Sequence, residues 1–308
     1  MRSSDLLTDV RRAMGAPNYQ ARFSAQDVLD IASSQQINYV VPEIRSLRRD
    51  FFVESEDFSL ATGEDTIPLP ERAAGRGIRD IWFTDTSSPT IKDFRKLIYT
   101  DLSDLLGMGG STGEVKSYYF QADDLKIYPP VPRASTIRLF YLSRPGNLVE
   151  ASRTATVLTV GTDTLTVDAV PSNIVLGSLI DVVKVKGSFK TLVKDQTVTA
   201  RAFNSVTVAG YDFAAAGVSV GDIVSLARET SVVQLPEDAH EVLVWATAQE
   251  MAASLGIEEV TERMDKQLAG AVNGMRQAFL PRSEDPQVII NPDSLLRSGY
   301  NRFGALLR

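Results

Sequence analysis

The chain has 308 residues, 44% hydrophobic and 23% charged, which suits one large or two modest folded cores and excludes wholesale disorder. Its formal net charge of −7 argues against a dedicated nucleic-acid grip, because holding phosphates needs a basic face. It has no cysteine and one histidine, which excludes disulfide staples and thiolate metal sites and leaves little for metal or acid–base chemistry.

Residues 1–9 lack the apolar stretch of a secretory signal, and no window of 18 uncharged apolar residues predicts a membrane span. Residues 3–14 and 24–39 read as helices. Ser24 with Asp27 three residues on matches a capping box, and Val28, Ile31, Ala32, Gln35 and Tyr39 then recur at helical spacing. Pro42 is expected to end or kink that helix. From Asp50 the pattern turns to strands, at 51–53 and 58–60, then Thr66 to Pro70 (Thr-Ile-Pro-Leu-Pro) after a turn at Gly63, then 77–84. Ile91, Phe94, Ile98, Leu102 and Leu105 predict a helix over 90–106, with Gly107 as its C-cap. A glycine-rich loop, 107–113, leads to strands at 117–121, 124–128 and 136–142, with Asp123 and Asp124 as a hairpin turn.

Residues 151–230 are rich in Val, Thr and Gly, show no helical stripe, and balance seven acidic against seven basic residues. They carry an internal repeat at an offset of 41: Leu165 to Val167 matches Val206 to Val208, and Asp181 to Val183 matches Asp222 to Val224. Two strand–loop–strand copies predict a small β-sandwich or barrel inserted into a loop of the parent domain. After the turn Gln234 to Asp238, helical period returns in two stripes. The first is Val244, Ala248, Met251 and Leu255, ended by Gly256; the second is Val260, Met264, Leu268, Val272, Met275 and Phe279. They predict an antiparallel hairpin with eight acidic and three basic residues. Residues 281–308 hold three prolines and no sustained period, so an extended tail is expected.

Four places invite a chemical reading. The loop 107–113 follows a helix and precedes a strand and has no P-loop lysine, so a nucleotide cradle is not expected. His240 has no second histidine and no motif-placed nucleophile, and reads as a surface or interface residue. Asp123 and Asp124, or Glu258, Glu259 and Glu262, would need to face one another across a cleft for acid–base work, whereas turn neighbours diverge and helix-exterior carboxylates are solvated. The tail alone favours a functional reading. Arg282, Leu295, Leu296, Arg297, Tyr300, Arg302, Phe303, Leu306, Leu307 and Arg308 mix arginine with apolar anchors, the usual energetic pattern of an interface.

The order of these signatures resembles the head-to-tail adaptor (connector, head-completion) proteins of tailed bacteriophages. The resemblance rests on residues 24–29, 63–69, 91–106, Tyr118 and Tyr119, 125–130, 140–145 and 235–250, and covers 1–148 and 231–308 with 151–230 as an apparent insertion. It implies a ring, usually of twelve copies, that docks on the portal, extends the DNA channel without sequence-specific binding, and presents a platform for tail or further connector proteins. It also implies a virion protein at the head–tail junction, made in the host cytoplasm and needing neither membrane nor cofactor.

The expected fold is therefore α+β: a helical bundle of N-terminal helices and C-terminal hairpin, with a β-domain, an inserted β-sandwich or barrel, and an extended tail. The expected divisions are 1–150 for the N-terminal helices and strands, 151–230 for the insertion, 231–280 for the hairpin completing the core, and 281–308 for the tail. No catalytic, cofactor or metal residue is assigned. Two other readings are a glycan- or receptor-binding module at 151–230, and a virion cell-wall hydrolase using Asp123, Asp124 or Glu258.

Overall fold

A computed structural model of the chain describes residues 1–15, 22–70, 72–85, 94–106, 114–122, 124–186, 190–256 and 258–279. It is an α+β protein with several helices and several sheets.

Helix α1 (Ser3–Met14) buries Leu6, Val10 and Met14 as one stripe and stops at Gly15, whose φ of +70° suits a residue without Cβ. Helix α2 (Ala25–Gln35) starts with the expected box: the Ser24 Oγ accepts the Asp27 N–H at 3.1 Å, and the Asp27 carboxylate accepts the Ser24 N–H at 2.8 Å. Pro42 does not end the helix. A π-turn (Gln36–Val40), closed by the Val41 N–H to the Gln36 carbonyl, widens the coil just before the proline, and α3 (Val41–Leu47) carries on. The wider turn gives the ring room against the preceding carbonyls and needs no N–H from Pro42.

The next strands are β1 (Val53–Leu60), β2 (Thr66–Pro68), β3 (Ala73–Asp85), β4 (Arg95–Lys96) and β5 (Ile98–Tyr99). They are followed by the short α4 (Leu102–Leu106) and by β6 (Ser117–Gln121), β7 (Asp124–Tyr128) and β8 (Ser135–Ser143). They form two four-stranded sheets, ordered β1-β8-β3-β4 and β2-β7-β6-β5. Strand β8 buries Ser135, Ile137, Leu139 and Tyr141 in strict alternation, the period-two pattern of a strand with one face on a core. That core also takes Leu60, Ile67, Ile81, Phe83, Leu125 and Ile127 from both sheets.

Among the described residues, the helix expected over 90–106 is present only as α4. Leu97 is the side chain that enters the core, its N–H donating to the Ile81 carbonyl at 2.8 Å, while Ile98 and Leu102 are exposed. Once Leu97 is fixed there, residues 95–96 extend β3's sheet and 98–99 run parallel to β6. Ile91, the loop 107–113 and its Gly107 lie outside the described residues.

Strand β9 (Asn147–Leu148) pairs parallel with β17 (Glu229–Thr230), so the intervening segment leaves and returns at one place. Between them lie β10 (Ala155–Val160), β11 (Thr164–Val167), β12 (Leu179–Val183), β13 (Thr191–Thr197), β14 (Ala200–Ala202), β15 (Ser205–Thr207) and β16 (Ile223–Leu226). Their order, β13-β12-β16-β10-β11-β15-β14, does not close, so the barrel alternative is not realised among the described residues. Matching strands of the repeat lie side by side: Leu165 sits opposite Val206, and Val183 opposite Ile223. A bulge between Val157 and Thr159 bends β10 and lets the strands wrap a second core, all of whose members fall between Ala155 and Val224.

Helices α5 (His240–Ser254) and α6 (Glu258–Phe279) complete the chain's described part. The stripe expected on α5 is only part of its buried surface, because Val242, Leu243, Ala246, Thr247 and Ala252 are buried as well. A helix apolar all round sits in the middle, and α5 packs against α1, α2 and α6. Helix α6 stays one-sided, burying Met264, Leu268, Val272, Met275 and Phe279. Phe52 and Leu148 join this third core from the strands.

Candidate functional site

Three polar clusters tie the strands of 155–226 to the rest of the molecule. In the first, Arg72, just before β3, donates from Nη2 to both Asp181 oxygens at 2.6 and 2.7 Å. Its Nε and Nη2 donate to Asp195 at 3.0 and 2.9 Å. The Arg72 and Asp181 side chains are only 9% and 2% exposed. Asp181 also accepts the N–H groups of Asp195 at 3.0 Å and Arg228 at 2.8 Å, two non-glycine residues held at φ of +51° and +67°. The carboxylate thus fixes two backbone positions that would otherwise relax. Burial opposes the Arg72 charge, but the hydrogen bonds and charges of Asp195 and Asp181 outweigh it and hold the guanidinium above its usual value. Burial pushes the Asp181 carboxyl up, against the pull of Arg72 and the two N–H donors.

In the second cluster, Lys194 on β13 pairs with Glu54 on β1 and donates to the Tyr141 hydroxyl at 3.1 Å. Burial of the Tyr141 ring pushes its phenol pKa up, and the charge of Glu54 overcomes burial to do the same for Lys194. In the third, the Gly146 N–H donates to Gln234 Oε1 at 2.6 Å, and the Gly146 carbonyl accepts from Gln36 Nε2 at 3.3 Å. Gln234 Nε2 donates in turn to Thr191 Oγ1 at 3.1 Å. A Cβ at Gly146 would meet the Arg228 carbonyl and the Thr230 methyl at 3.2 Å, so the helices and strands approach here more closely than a side chain permits.

These acids and bases are spent on one another, and their chemistry is to hold geometry. Sequence reasoning passed over Arg72, Glu54, Tyr141 and Lys194 because each looks like an ordinary strand residue. One signal pointed here: the repeat places an aspartate, Asp181 or Asp222, ahead of two apolar strand residues. Both are 1% exposed. Asp222 satisfies its own loop through the Ser219 N–H at 2.8 Å and the Val185 N–H at 3.2 Å, and only Asp181 gains an arginine.

The ten tail residues singled out in the sequence, Arg282 to Arg308, lie outside the described residues, as do the loop 107–113 and Asp123. Asp124 opens β7 opposite Gln121, exposed, in the sheet over one core. Glu258, Glu259 and Glu262 are exposed at the start of α6, over another. The structure does not bring them together. Among the described residues no group of three His, Asp or Glu could hold a metal, and no helix is long and apolar enough to cross a membrane.

His240 is less superficial than expected. It is half-buried, its Nε2–H donating to the Leu235 carbonyl at 3.1 Å, and it lines a cavity of about 640 Å³ with Met1, Ala13, Val244, Trp245 and Arg263. Burial first, and then the Met1 ammonium, lower its pKa below 6.5. The folded chain therefore binds a proton less readily than the unfolded one, and stability falls as pH drops through about 6.5. As the only histidine, it contributes its own share of the pH dependence just below that point. His240→Gln is expected to lessen the fall of the denaturation midpoint as pH drops below about 6.5; an unchanged pH profile would place His240 in water.

The described clusters hold the helix and sheet cores to one another, which is an architectural role. The family model described as "SU10 adaptor protein" matches residues 1–184, more than half of the 308, and the chain belongs to that family. The match bears out the resemblance read from the sequence, and its span ends at residue 184, beyond β12. No curated protein matches the chain.

Proposed function

We propose that the protein forms a ring that joins the portal of a phage capsid to the tail and extends the DNA channel. Membership of the adaptor family carries this reading. The parts would be the N-terminal helices and strands (1–150), an inserted β-sandwich (151–230), the hairpin that completes a helical bundle (231–280), and the tail (281–308). Lateral contacts between copies would use apolar side chains left in water, chiefly Ile98 (71% exposed) with Tyr99, and Phe203 (81% exposed). The acidic hairpin would border the DNA path, where like charge keeps the duplex sliding. Tail or further connector proteins would bind the far face, placing the protein at the head–tail junction.

The tail would anchor the ring on the portal through Arg282, Leu295, Leu296, Arg297, Tyr300, Arg302, Phe303, Leu306, Leu307 and Arg308, ordering as it binds. A chain truncated after Phe279 is expected to keep its circular dichroism spectrum and to lose portal binding by at least about 100-fold, the size set by a few anchor side chains. Undiminished docking in co-sedimentation would discard the tail as anchor.

A further inference from the structure

Arg144 directly follows β8 at the junction of the three cores, and its N–H donates to the Arg72 carbonyl at 2.9 Å. Its exposed side chain lines two small hollows. One, of about 70 Å³, is shared with Phe52, Lys190 and Glu54, whose carboxylate is paired with Lys194, and the other, of about 160 Å³, with Arg72 and Arg228. From α3, Arg45 reaches the same place, donating to the Ser143 carbonyl at 3.4 Å with its guanidinium 5.8 Å from the centre of the Phe52 ring. The Arg45 Nε–H is buried and has no hydrogen-bond partner among the described residues. Burial, and after it the charge of Arg144, lower the Arg45 pKa.

The contrast with Arg72 is instructive. Asp181 and Asp195 both pair with Arg72, yet neither Arg45 nor Arg144 pairs with a carboxylate among the described residues. Two like charges side by side with an unmet buried donor cost the isolated chain free energy. An oxyanion placed between them would remove both costs, and a guanidinium fork suits a carboxylate in two-point contact.

We propose that Arg45 and Arg144 form a receptor for one carboxylate of an acidic segment on an adjoining protein chain, with Lys190 at the rim. The hollows have the size of a side chain, which admits aspartate or glutamate and excludes the backbone of a duplex. The charges of Arg45, Arg144 and Lys190 together draw an acidic segment to this spot. The adaptor reading supplies the adjoining chain, but the site is tested on the protein alone, so either can fail without the other.

The test is thermal unfolding of the full chain at fixed ionic strength with tetraglutamate, inorganic phosphate or a short DNA duplex. Tetraglutamate is expected to raise the wild-type melting temperature by about 2–4 °C at saturation, and phosphate by less. Arg144→Gln and Arg45→Gln should each abolish most of that rise. Without any peptide, Arg144→Gln should itself melt about 1–2 °C above wild type, because it removes an uncompensated repulsion. An equal peptide shift in wild type and both variants, or a lower melting point for Arg144→Gln alone, would overturn the proposal. So would a shift produced by the duplex and not by tetraglutamate.

Discussion

Arg72→Ala is expected to destabilise the protein by about 3–5 kcal/mol, the cost of leaving a buried carboxylate without its counter-charge. Asp181 is 1% exposed and takes two hydrogen bonds from one guanidinium nitrogen, so no water is at hand to replace them. Asp195 would lose its two bonds from Arg72 as well. The damage should then spread along the backbone, since the N–H groups of Asp195 and Arg228 hang on the same carboxylate. Arg72→Lys should recover only part of the loss, because a single ammonium cannot serve two carboxylates as a planar fork does. Urea denaturation measures the size of the effect, and hydrogen exchange at residues 181–195 its location. A loss below about 1 kcal/mol, the range of a surface pair, would mean that the pair is solvated.

Phe213→Ala is expected to cost a similar amount, about 3–5 kcal/mol, by a different route. The ring is fully buried in the second core, edge-on to Tyr211 with centroids 5.2 Å apart, in a loop closed by the Phe213 N–H to the Thr162 carbonyl at 2.9 Å. Removing it leaves a cavity that this loop cannot collapse to fill. All buried members of that core lie between Ala155 and Val224, so the amides of β10–β16 should lose protection while those of α5 keep theirs. Equal loss of protection in α5 would show that the cores unfold as one unit.

The two variants probe opposite features of the design. Phe213 belongs to one core, whereas Arg72 ties β3 to the strands that carry Asp181 and Asp195, so only the second variant tests how the parts of the chain are held to one another.

How far the sequence spoke depends on what kind of signal each element carries. The capping box at Ser24 and Asp27 and the one-sided stripe of α6 are local patterns, and local patterns were legible. Helix α5 was found but misjudged, because a stripe of Val244, Ala248 and Met251 says nothing of the neighbours that also bury Leu243 and Thr247. The helix over 90–106 was a false period. Ile98 and Leu102 fit the spacing, yet the position that mattered was Leu97, whose burial is decided by β3 from outside the segment. Pro42 was expected to end or kink its helix; the helix does not end there, and a π-turn interrupts its regular coil just before the proline, an accommodation with no fixed sequence mark. The ion pairs were illegible for the plainest reason. Arg72 and Asp181 are 109 residues apart, and nothing near either one names the other.

The repeat was the most informative long-range signal. An offset of 41 predicted two like units, and the structure sets their matching strands against each other, Leu165 on Val206. It also marked Asp181, the residue that became the anchor of the junction.

The central claim is that copies of this chain close into a ring on a portal, and electron microscopy of the full-length protein mixed with its phage's portal ring tests it most directly. The account predicts a closed ring of copies beneath the portal, coaxial with its channel, with residues 280–308 of each copy laid against portal subunits. Single copies scattered on the portal, or free protomers whose last residues pack on their own helices, would contradict it.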